Sequence, residues 1–396
     1  MIGDKFGFVG METIKSIDEC FSLIQNGANI KQGIVNGGYP ITRIETISND
    51  KFNRDKVGFA GIYEIDKYEN YVLEDEDLLM SHINSPQYLG RTVLYEKQPN
   101  EIIIHGMNLL RLKANRNIIN PRYARYIFYS RQFRRQIVKI SKKSVNQASF
   151  AVTDLKKIKI KLPSIEKQKC IVEILDLVNN TIEKFKNELG LLDELIKARF
   201  VEMFGNPILN DKRWRMDKLK KITYKIGSGA TPKGGKESYV EDGISLIRSM
   251  NVHDNRFIYN ELAHITDVQA SQLKNVIVNE NDVLFNITGA SITRTCIVPL
   301  DVLPARVNQH VCIIRPDKNI NAIFLCHLLQ SNVLKSQLID IGESNGATRQ
   351  AITKQQLEQL MIICPPIELQ NQFADFVKEV DKSKFMDEMM VYKLKM

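Results

Sequence analysis

Between Pro163 and Gly205 the apolar residues Ile171, Leu175, Val178, Ile182, Phe185, Leu189, Leu192 and Ile196 recur alternately four and three residues apart. A 3.5-residue period keeps one stripe of a helix turned toward a partner, so the spacing predicts a long helix packed lengthwise on another. Pro163 precedes its start and Glu166 falls in the first turn, where the helix dipole favours an anion. Gly205 followed by Pro207 ends it. A looser apolar series, Phe373, Phe376, Val377, Val380, Met386, Met390 and Leu394, predicts a second helix. Each is too amphipathic to stand alone, so the two seams are expected to bury one another as an antiparallel pair.

Ahead of each helix the pattern changes to short strands mixed with helices. Asn100 to Leu112 and Val307 to Ile314 carry the branched apolar residues of strands, and Tyr123 to Ile140 and Ile323 to Ile339 have helical spacing. Turn residues crowd Asn36-Gly37-Gly38, Gly227-Ser228-Gly229 and Thr231-Pro232-Lys233-Gly234-Gly235. The divisions that follow are a mixed domain over 11–162, a helix over 163–206, a second mixed domain over 207–363 and a final helix over 364–396.

The two halves are copies of one another. Ile24-Gln25-Asn26-Gly27-Ala28 returns as Ile226-Gly227-Ser228-Gly229-Ala230, Gly38 and Arg43 as Gly243 and Arg248, and Asp77-Leu78-Leu79 as Asp282-Val283-Leu284. Arg91-Thr92 matches Arg294-Thr295, Ala151-Val152-Thr153 matches Ala351-Ile352-Thr353, and Pro163 to Gln168 matches Pro365 to Gln370. The separations run from 200 (Thr153 to Thr353) to 205 (Gly38 to Gly243). That order marks a duplication whose intervening segments have diverged.

At 396 residues the chain is long enough for two domains with their own cores, and 43% hydrophobic with 26% charged residues is the balance of a soluble globular protein. The net charge of +9 and pI near 9.0 favour a polyanionic partner, nucleic acid first, because lysine and arginine gain affinity for phosphates through counterion release. The most basic stretches are Arg122 to Arg135, Lys139 to Lys143, Lys156 to Lys161 and Lys212 to Lys225. Six scattered cysteines without a Cys-x-x-Cys pair are read as reduced residues of a cytoplasmic protein, and no apolar run reaches membrane-spanning length. Residues 1–10 are read as an extension ahead of Met11. Its Phe6-Gly7-Phe8-Val9-Gly10 only superficially resembles a methyl-donor loop, since no strand precedes it. The histidines lack metal-ligand spacing, and Asn120-Pro121 and Asn206-Pro207 lack the second proline of a methylase signature. No catalytic residue, cofactor or metal site is expected.

The arrangement resembles the specificity subunit of a type I restriction-modification system. The resemblance covers the chain from Met11. It rests on Gly229-Ala230-Thr231-Pro232, Glu280 to Phe285, Ala347 to Ile352, Ile362 to Gln370 and Lys197 to Pro207. The first half departs from it, with Gly27-Ala28-Asn29-Ile30 and Asn146-Gln147-Ala148-Ser149 at the equivalent places. The resemblance implies an α/β (α+β) protein with two pseudo-repeated mixed target recognition domains separated by long antiparallel coiled-coil helices. It implies a non-catalytic subunit that chooses the DNA sequence for two methyltransferase subunits, and for restriction (translocase) subunits when they join. The duplication points to the same mechanism: each domain reads one half of a bipartite, asymmetric duplex target, and the helical rod sets the unread spacer. Residues 164–204 at about 1.5 Å each span roughly 60 Å, which caps the half-site separation near roughly 18 base pairs. A stand-alone sequence-specific DNA-binding regulator is the alternative.

Reading bases takes paired donors and acceptors, and holding phosphates takes cations and backbone amides. In the second domain the candidates are Thr231, Lys233, Lys236, Arg248, Ser291, Thr293, Arg294 and Arg349, in or beside glycine-rich loops. In the first they are Lys31, Tyr39, Arg43, Asn84, Ser85, Gln87, Tyr88 and Arg91. Arg43 and Arg248 recur in both copies, which fits a shared ion pair or phosphate contact better than specificity.

Overall fold

The computed structural model describes residues 12–30, 37–144, 147–232, 234–343 and 350–396. The chain forms two compact units, Met1–Asn180 and Thr181–Met396.

In the first unit β1 (Thr13–Ser16) and β2 (Phe21–Asn26) are followed by β3 (Leu78–Ser81), β4 (Ile83–Asn84), β5 (Thr92–Leu94) and β6 (Leu109–Ala114). After them come α1 (Pro121–Tyr129), α2 (Arg131–Ile140), β7 (Lys142–Lys143), β8 (Ala148–Ser149) and β9 (Lys159–Leu162). The helix α3 (Ile165–Phe204) contributes residues 165–180 to this unit and 181–204 to the next. The second unit continues with β10 (Met216–Lys218), β11 (Thr223–Ser228), β12 (Val283–Asn286), β13 (Thr295–Ile297) and β14 (Val311–Pro316). It closes with α4 (Ala322–Gln330), α5 (Asn332–Glu343), β15 (Met361–Ile363) and α6 (Ile367–Lys395).

The repeat read from the sequence is a repeat of register. The central antiparallel sheets run β2-β6-β3-β5 and β11-β14-β12-β13. Ile24 faces Leu112 as Ile226 faces Ile314, and Leu78 lies between Leu112 and Leu94 as Val283 lies between Ile314 and Ile297. Both first strands carry a bulge at the same place, between Phe21 and Leu23 and between Thr223 and Lys225. A terminal pair closes each unit, β1 on β9 and β10 on β15.

The units part company in their second layer. The second unit has a four-stranded sheet ordered Ala263–Ile265, Ile244–Ile247, Ala305–Val307, Ile277–Val278, the middle two parallel. In the first unit only the antiparallel pair of Pro40–Ile41 on Gly58–Phe59 remains of this sheet, and the rest is reduced to single bridges, Ile41 parallel to Ile104 and Val72 antiparallel to Ile104. These stand where Leu246 and Ile277 meet Arg306.

Each helix start is seated by one buried glutamine. Gln168 accepts from Asn120 N at 2.9 Å and donates to Ile118 O at 3.0 Å and Pro163 O at 2.9 Å. Gln370 accepts from Asn321 N at 2.9 Å and donates to Asn319 O at 3.2 Å and Pro365 O at 2.8 Å. Both are fully buried, and Asn120 and Asn321 in turn cap α1 and α4 through their side chains.

The long helix ends where the pattern predicts. Gly205 has φ +73°, and a Cβ there would stand 2.1 Å from Asp211 Oδ1. Its eight seam residues are all buried or half-buried. Within the second unit α3 and α6 pack antiparallel, Phe200 and Phe204 against Phe373 and Asp193 against Lys384.

Several expectations need correction. Met386 and Met390 are exposed, and beyond the buried Val380 the inward stripe of α6 continues through the half-buried Lys384, Asp387, Val391 and Leu394. The four-three spacing persists while polar residues occupy two of its places, so an apolar search shifts to the neighbouring methionines. The strand expected over Asn100 to Leu112 begins only at Leu109, and that over Val307 to Ile314 is split by a turn. The helices expected over Tyr123 to Ile140 and Ile323 to Ile339 are each two, broken at Ser130 and Ser331. Ser130 caps α2 by accepting from Phe133 N.

Candidate nucleic-acid interface

Four segments of the second unit meet at the end of its central sheet. Gly229 lies so close to the neighbouring turn that a Cβ would stand 1.7 Å from Val307 O, and its N–H donates to Asn308 O at 3.1 Å. The exposed Thr231 hydroxyl donates to Gln309 Oε1. Gln309 Nε2 then donates to His310 Nε2 at 3.2 Å, and His310 Nδ1 lies 2.6 Å from Thr288 Oγ1. This network assigns the His310 proton to Nδ1, donating to Thr288. Thr288 bridges to Ala351 and Gly289 N donates to Gln350 O at 2.9 Å, which brings the loop ending at Ser291 to the same edge. Polar groups that offer both donors and acceptors to solvent are what a base edge can pair with.

The first unit builds the same platform with other side chains. A Cβ on Gly27 would stand 1.9 Å from Gly106 O, and Ala28 N donates to His105 O at 2.8 Å. The register of β2 on β6 and of β11 on β14 sets Met107 and Asn108 where the second unit has Gln309 and His310. Gln309, His310, Met107 and Asn108 were not among the candidates. Their signal is the offset of about two hundred residues carried through the turn before the central strand, which a search for glycine-rich loops passes over.

The arginines common to both copies keep their backbone and change their partners. Arg43 N donates to Thr46 Oγ1 at 2.8 Å and Arg248 N to Asn251 Oδ1 at 3.0 Å. The Arg43 guanidinium is exposed, 3.6 Å from Glu45, whereas Arg248 donates to Glu261 O and lies 5.6 Å over the Tyr239 ring. Arg91 pairs with Asp50 at 3.2 Å and covers Tyr88 at 4.4 Å, while Arg294 stands 3.5 Å from His253.

Gln87 and Tyr88 are exposed on a 3-10 turn, with Ser85 half-buried before it. Asn84 is half-buried and uses both ends of its amide internally, donating to Ser81 Oγ at 3.1 Å and accepting from Ser85 N at 2.8 Å. Tyr39 packs against the cluster of Ala28, Ile41, Ile62 and Ile104. Thr293 corrects its assignment as a reader. It is fully buried with φ +70°, and its carbonyl accepts from Gln330 Nε2 and Thr295 Oγ1. It holds the loop's shape, and the equivalent residue of the first unit, Gly90 before Arg91, has the same positive φ of +73°. Lys31, Lys233, Arg349, residues 1–10 and the Lys236 side chain lie outside the described residues.

Beneath each platform a buried aspartate closes the turn into the third sheet strand. Asp77 accepts from Glu74 N at 2.6 Å and Asp282 from Asn279 N at 2.7 Å. Arg111 Nε lies 2.7 Å from Asp77, and Arg315 Nε donates to Asp282 at 2.7 Å. Burial raises the Asp77 carboxyl above its ordinary range, opposed by the Glu74 amide and Arg111. The six cysteines are free thiols. Among the described residues no cluster of histidine, cysteine, aspartate or glutamate could hold a metal ion, and no helix is long and apolar enough to cross a membrane.

The sequence profile of the type I restriction modification DNA specificity domain matches this chain twice, over residues 10–190 and 212–387. A putative type I restriction enzyme MjaX specificity subunit from Methanocaldococcus jannaschii is 29% identical over 390 residues, covering 93% of this chain and 86% of that protein. The type I restriction enzyme EcoBI specificity subunit of Escherichia coli is 26% identical over 247 residues, 55% of this chain and 50% of the other. The crystal structure of the S subunit of a type I restriction-modification system from M. genitalium shares the fold, with TM-score 0.60 at 12% identity over 99% of this chain and 95% of that one. With two matches that together span most of its length, the chain belongs to the type I restriction modification DNA specificity family and carries the family's domain twice.

Proposed function

We propose that this chain is the non-catalytic specificity subunit of a type I restriction-modification complex. Residues 11–162 and 207–363 each read one half of a bipartite, asymmetric duplex target. The helix α3, about 60 Å long at 1.5 Å per residue, sets the unread spacer, and the α3 and α6 surfaces dock two methyltransferase subunits. Restriction subunits join that assembly. The carrying observation is one scaffold built twice in the same register, presenting Met107 and Asn108 in one copy and Gln309 and His310 in the other. Equal frames with unequal side chains are what two different half-sites require. Candidate base contacts are Gln87, Tyr88, Thr231, Ser291, Gln309 and His310. Arg43, Arg91, Arg248 and Arg294 serve as positioning cations, and Lys31, Lys233, Lys236 and Arg349 remain candidates from the sequence.

The test is to map methylated adenines in a host carrying the complex, then exchange residues 207–363 for those of a relative with another target. One half of the motif should change while the other half and the gap stay as they were. A change in both halves would refute separate reading. The purified chain, given a methyl donor and duplex, should transfer nothing until methyltransferase subunits are added.

A further inference from the structure

The four basic stretches of the sequence have different fates in the fold. Arg122 faces Glu76, Glu96 and Asp176, and Arg125 donates to Asp50 O. Lys156 pairs with Asp18, Lys157 with Asp154 and Lys161 with Glu12. In the second unit Arg215 pairs with Asp217 and Lys220 with Glu358, while exposed Arg213, Lys218 and Lys221 of the same stretch have no ion pair with a described residue but lie on a loop, a strand end and a 3-10 turn and share no helix face. Arg131, Arg135 and Lys139 behave otherwise. They stand at i, i+4 and i+8 of α2, all exposed, and none makes an ion pair with a described residue. Lys142 and Lys143, exposed on β7, follow them with no acidic partner among the described residues.

Like charges four residues apart on a helix repel by about 0.2–0.5 kcal/mol per pair. The stripe therefore costs the fold something, and no ion pair with a described residue offsets that cost. The equivalent helix of the second unit carries no such stripe. Ser130 and Ser331 lie 201 residues apart at the same break, so Arg131, Arg135 and Lys139 correspond to Asn332, Ser336 and Asp340. Over its length α2 has four cations and no acid, whereas α5 has one lysine against two acids. The scaffold does not need the charge; one copy acquired it for another reason.

The stripe also adjoins a candidate reading loop. Arg134 on the adjoining face of α2 donates to Leu89 O at 2.6 Å and to Gln87 O at 3.3 Å. Through β8, β7 is joined to β4, the strand that ends at Asn84.

We propose that Arg131, Arg135 and Lys139, continued by Lys142 and Lys143, form a phosphate track peculiar to the first unit. One strand of the DNA backbone lies along it while the Ser85 to Tyr88 turn meets the groove. From Arg131 to Lys139 the stripe is about 12 Å long, and its three cations can each take one phosphate, because successive phosphates of a strand advance roughly 3.4 Å along the duplex axis and lie farther apart than that along the strand itself. The inference rests on the chain being a DNA-reading subunit. It adds that the two units share the work unequally, the first supplying the larger part of the salt-sensitive grip.

The test measures binding of the full chain to two duplexes of equal length, one with the mapped target and one scrambled, across a salt series. The variant R131Q/R135Q/K139Q/K142Q/K143Q keeps helix propensity, since glutamine is close to arginine and lysine on that scale. R135Q alone serves if the fivefold variant does not fold. Affinity for both duplexes should fall by the same factor, leaving their ratio unchanged. The slope of log K against log salt should flatten by about 0.9 for every phosphate that is no longer neutralised. With three such phosphates the deficit is roughly 40-fold larger at 50 mM than at 200 mM salt. A folded variant with the wild-type slope overturns the track, as does a fall in the target-to-scrambled ratio, which would make these side chains base readers. A wild-type chain with no affinity for any duplex would instead overturn the functional reading beneath it.

Discussion

The buried glutamines offer a direct test of whether the duplicated frame is energetically as well as geometrically repeated. Gln168 and Gln370 are both fully buried, and each makes three hydrogen bonds to backbone groups at the start of α3 or α6 and at the entry to α1 or α4. Gln168→Leu and Gln370→Leu keep the side-chain volume and leave little cavity term. What is lost is three hydrogen bonds worth about 1 kcal/mol each, with one N–H and two carbonyls left without a protein partner. The expected cost is about 3 kcal/mol in either variant, and it should be equal because the partners are equivalent.

Hydrogen exchange read by mass spectrometry can tell the two units apart. A loss of about 3 kcal/mol speeds exchange through unit-wide opening by roughly two powers of ten. Gln168→Leu should do this to amides of 12–162, and Gln370→Leu to those of 207–363. The reasoning fails if either variant changes exchange by less than about fivefold, or if both variants loosen the same unit.

Three further outcomes follow from the platforms and the core beneath them. His105 is fully buried with Nε2 3.0 Å from Leu109 O, and burial pushes its pKa down to about 3. A histidine depressed in the fold takes up its proton more readily when unfolded, so its stabilising share is whole above pH 6.5 and drains as pH falls toward 3. The drain is about 1.4 kcal/mol per pH unit. Between pH 7 and 4.5 the wild type should therefore lose about 2–3 kcal/mol more than His105→Gln in urea unfolding, and parallel curves would contradict this. Gly229→Ala must displace the Val307 carbonyl, 1.7 Å from the new Cβ; it should expose the 229–232 loop to proteolysis and abolish recognition of one half-site while the other persists. Q309M/H310N, which gives the second platform the first one's side chains, should cost about 1–3 kcal/mol per base contact on the mapped target and nothing on scrambled duplex, as read by competition binding.

Much of this protein was legible without coordinates because duplication doubles every signal. The pattern at Pro163 to Gln168 recurs at Pro365 to Gln370, and both copies turn out to seat a helix through the same three hydrogen bonds. The heptad seam of α3 was readable because its places are apolar; that of α6 was misread because Lys384 and Asp387 hold two of its places. Within the site, glycine-rich loops led to Thr231 and Ser291 but also to Thr293, whose conformation the loop needs more than its hydroxyl. Gln309 and His310 sit in a turn with no such mark.

The buried ion pairs show where a repeat stops being readable. Asp77 and Asp282 recur at the same offset as their neighbours because each closes the turn before its strand, a task that admits one position. Their arginines do not recur. Opposite Asp282 the cross-strand position holds Arg315, whereas the equivalent position in the first unit is Lys113, which pairs with Glu74 at 2.6 Å. Arg111, two residues earlier and on the same face of the strand, reaches Asp77 instead. Burying a carboxylate demands a cation within reach, and a strand offers that reach from either of two positions. Selection on the duplicated frame therefore preserved the charge balance and not the residue. Where a fold constrains an interaction more tightly than an address, aligning the halves finds the aspartates and misses their partners.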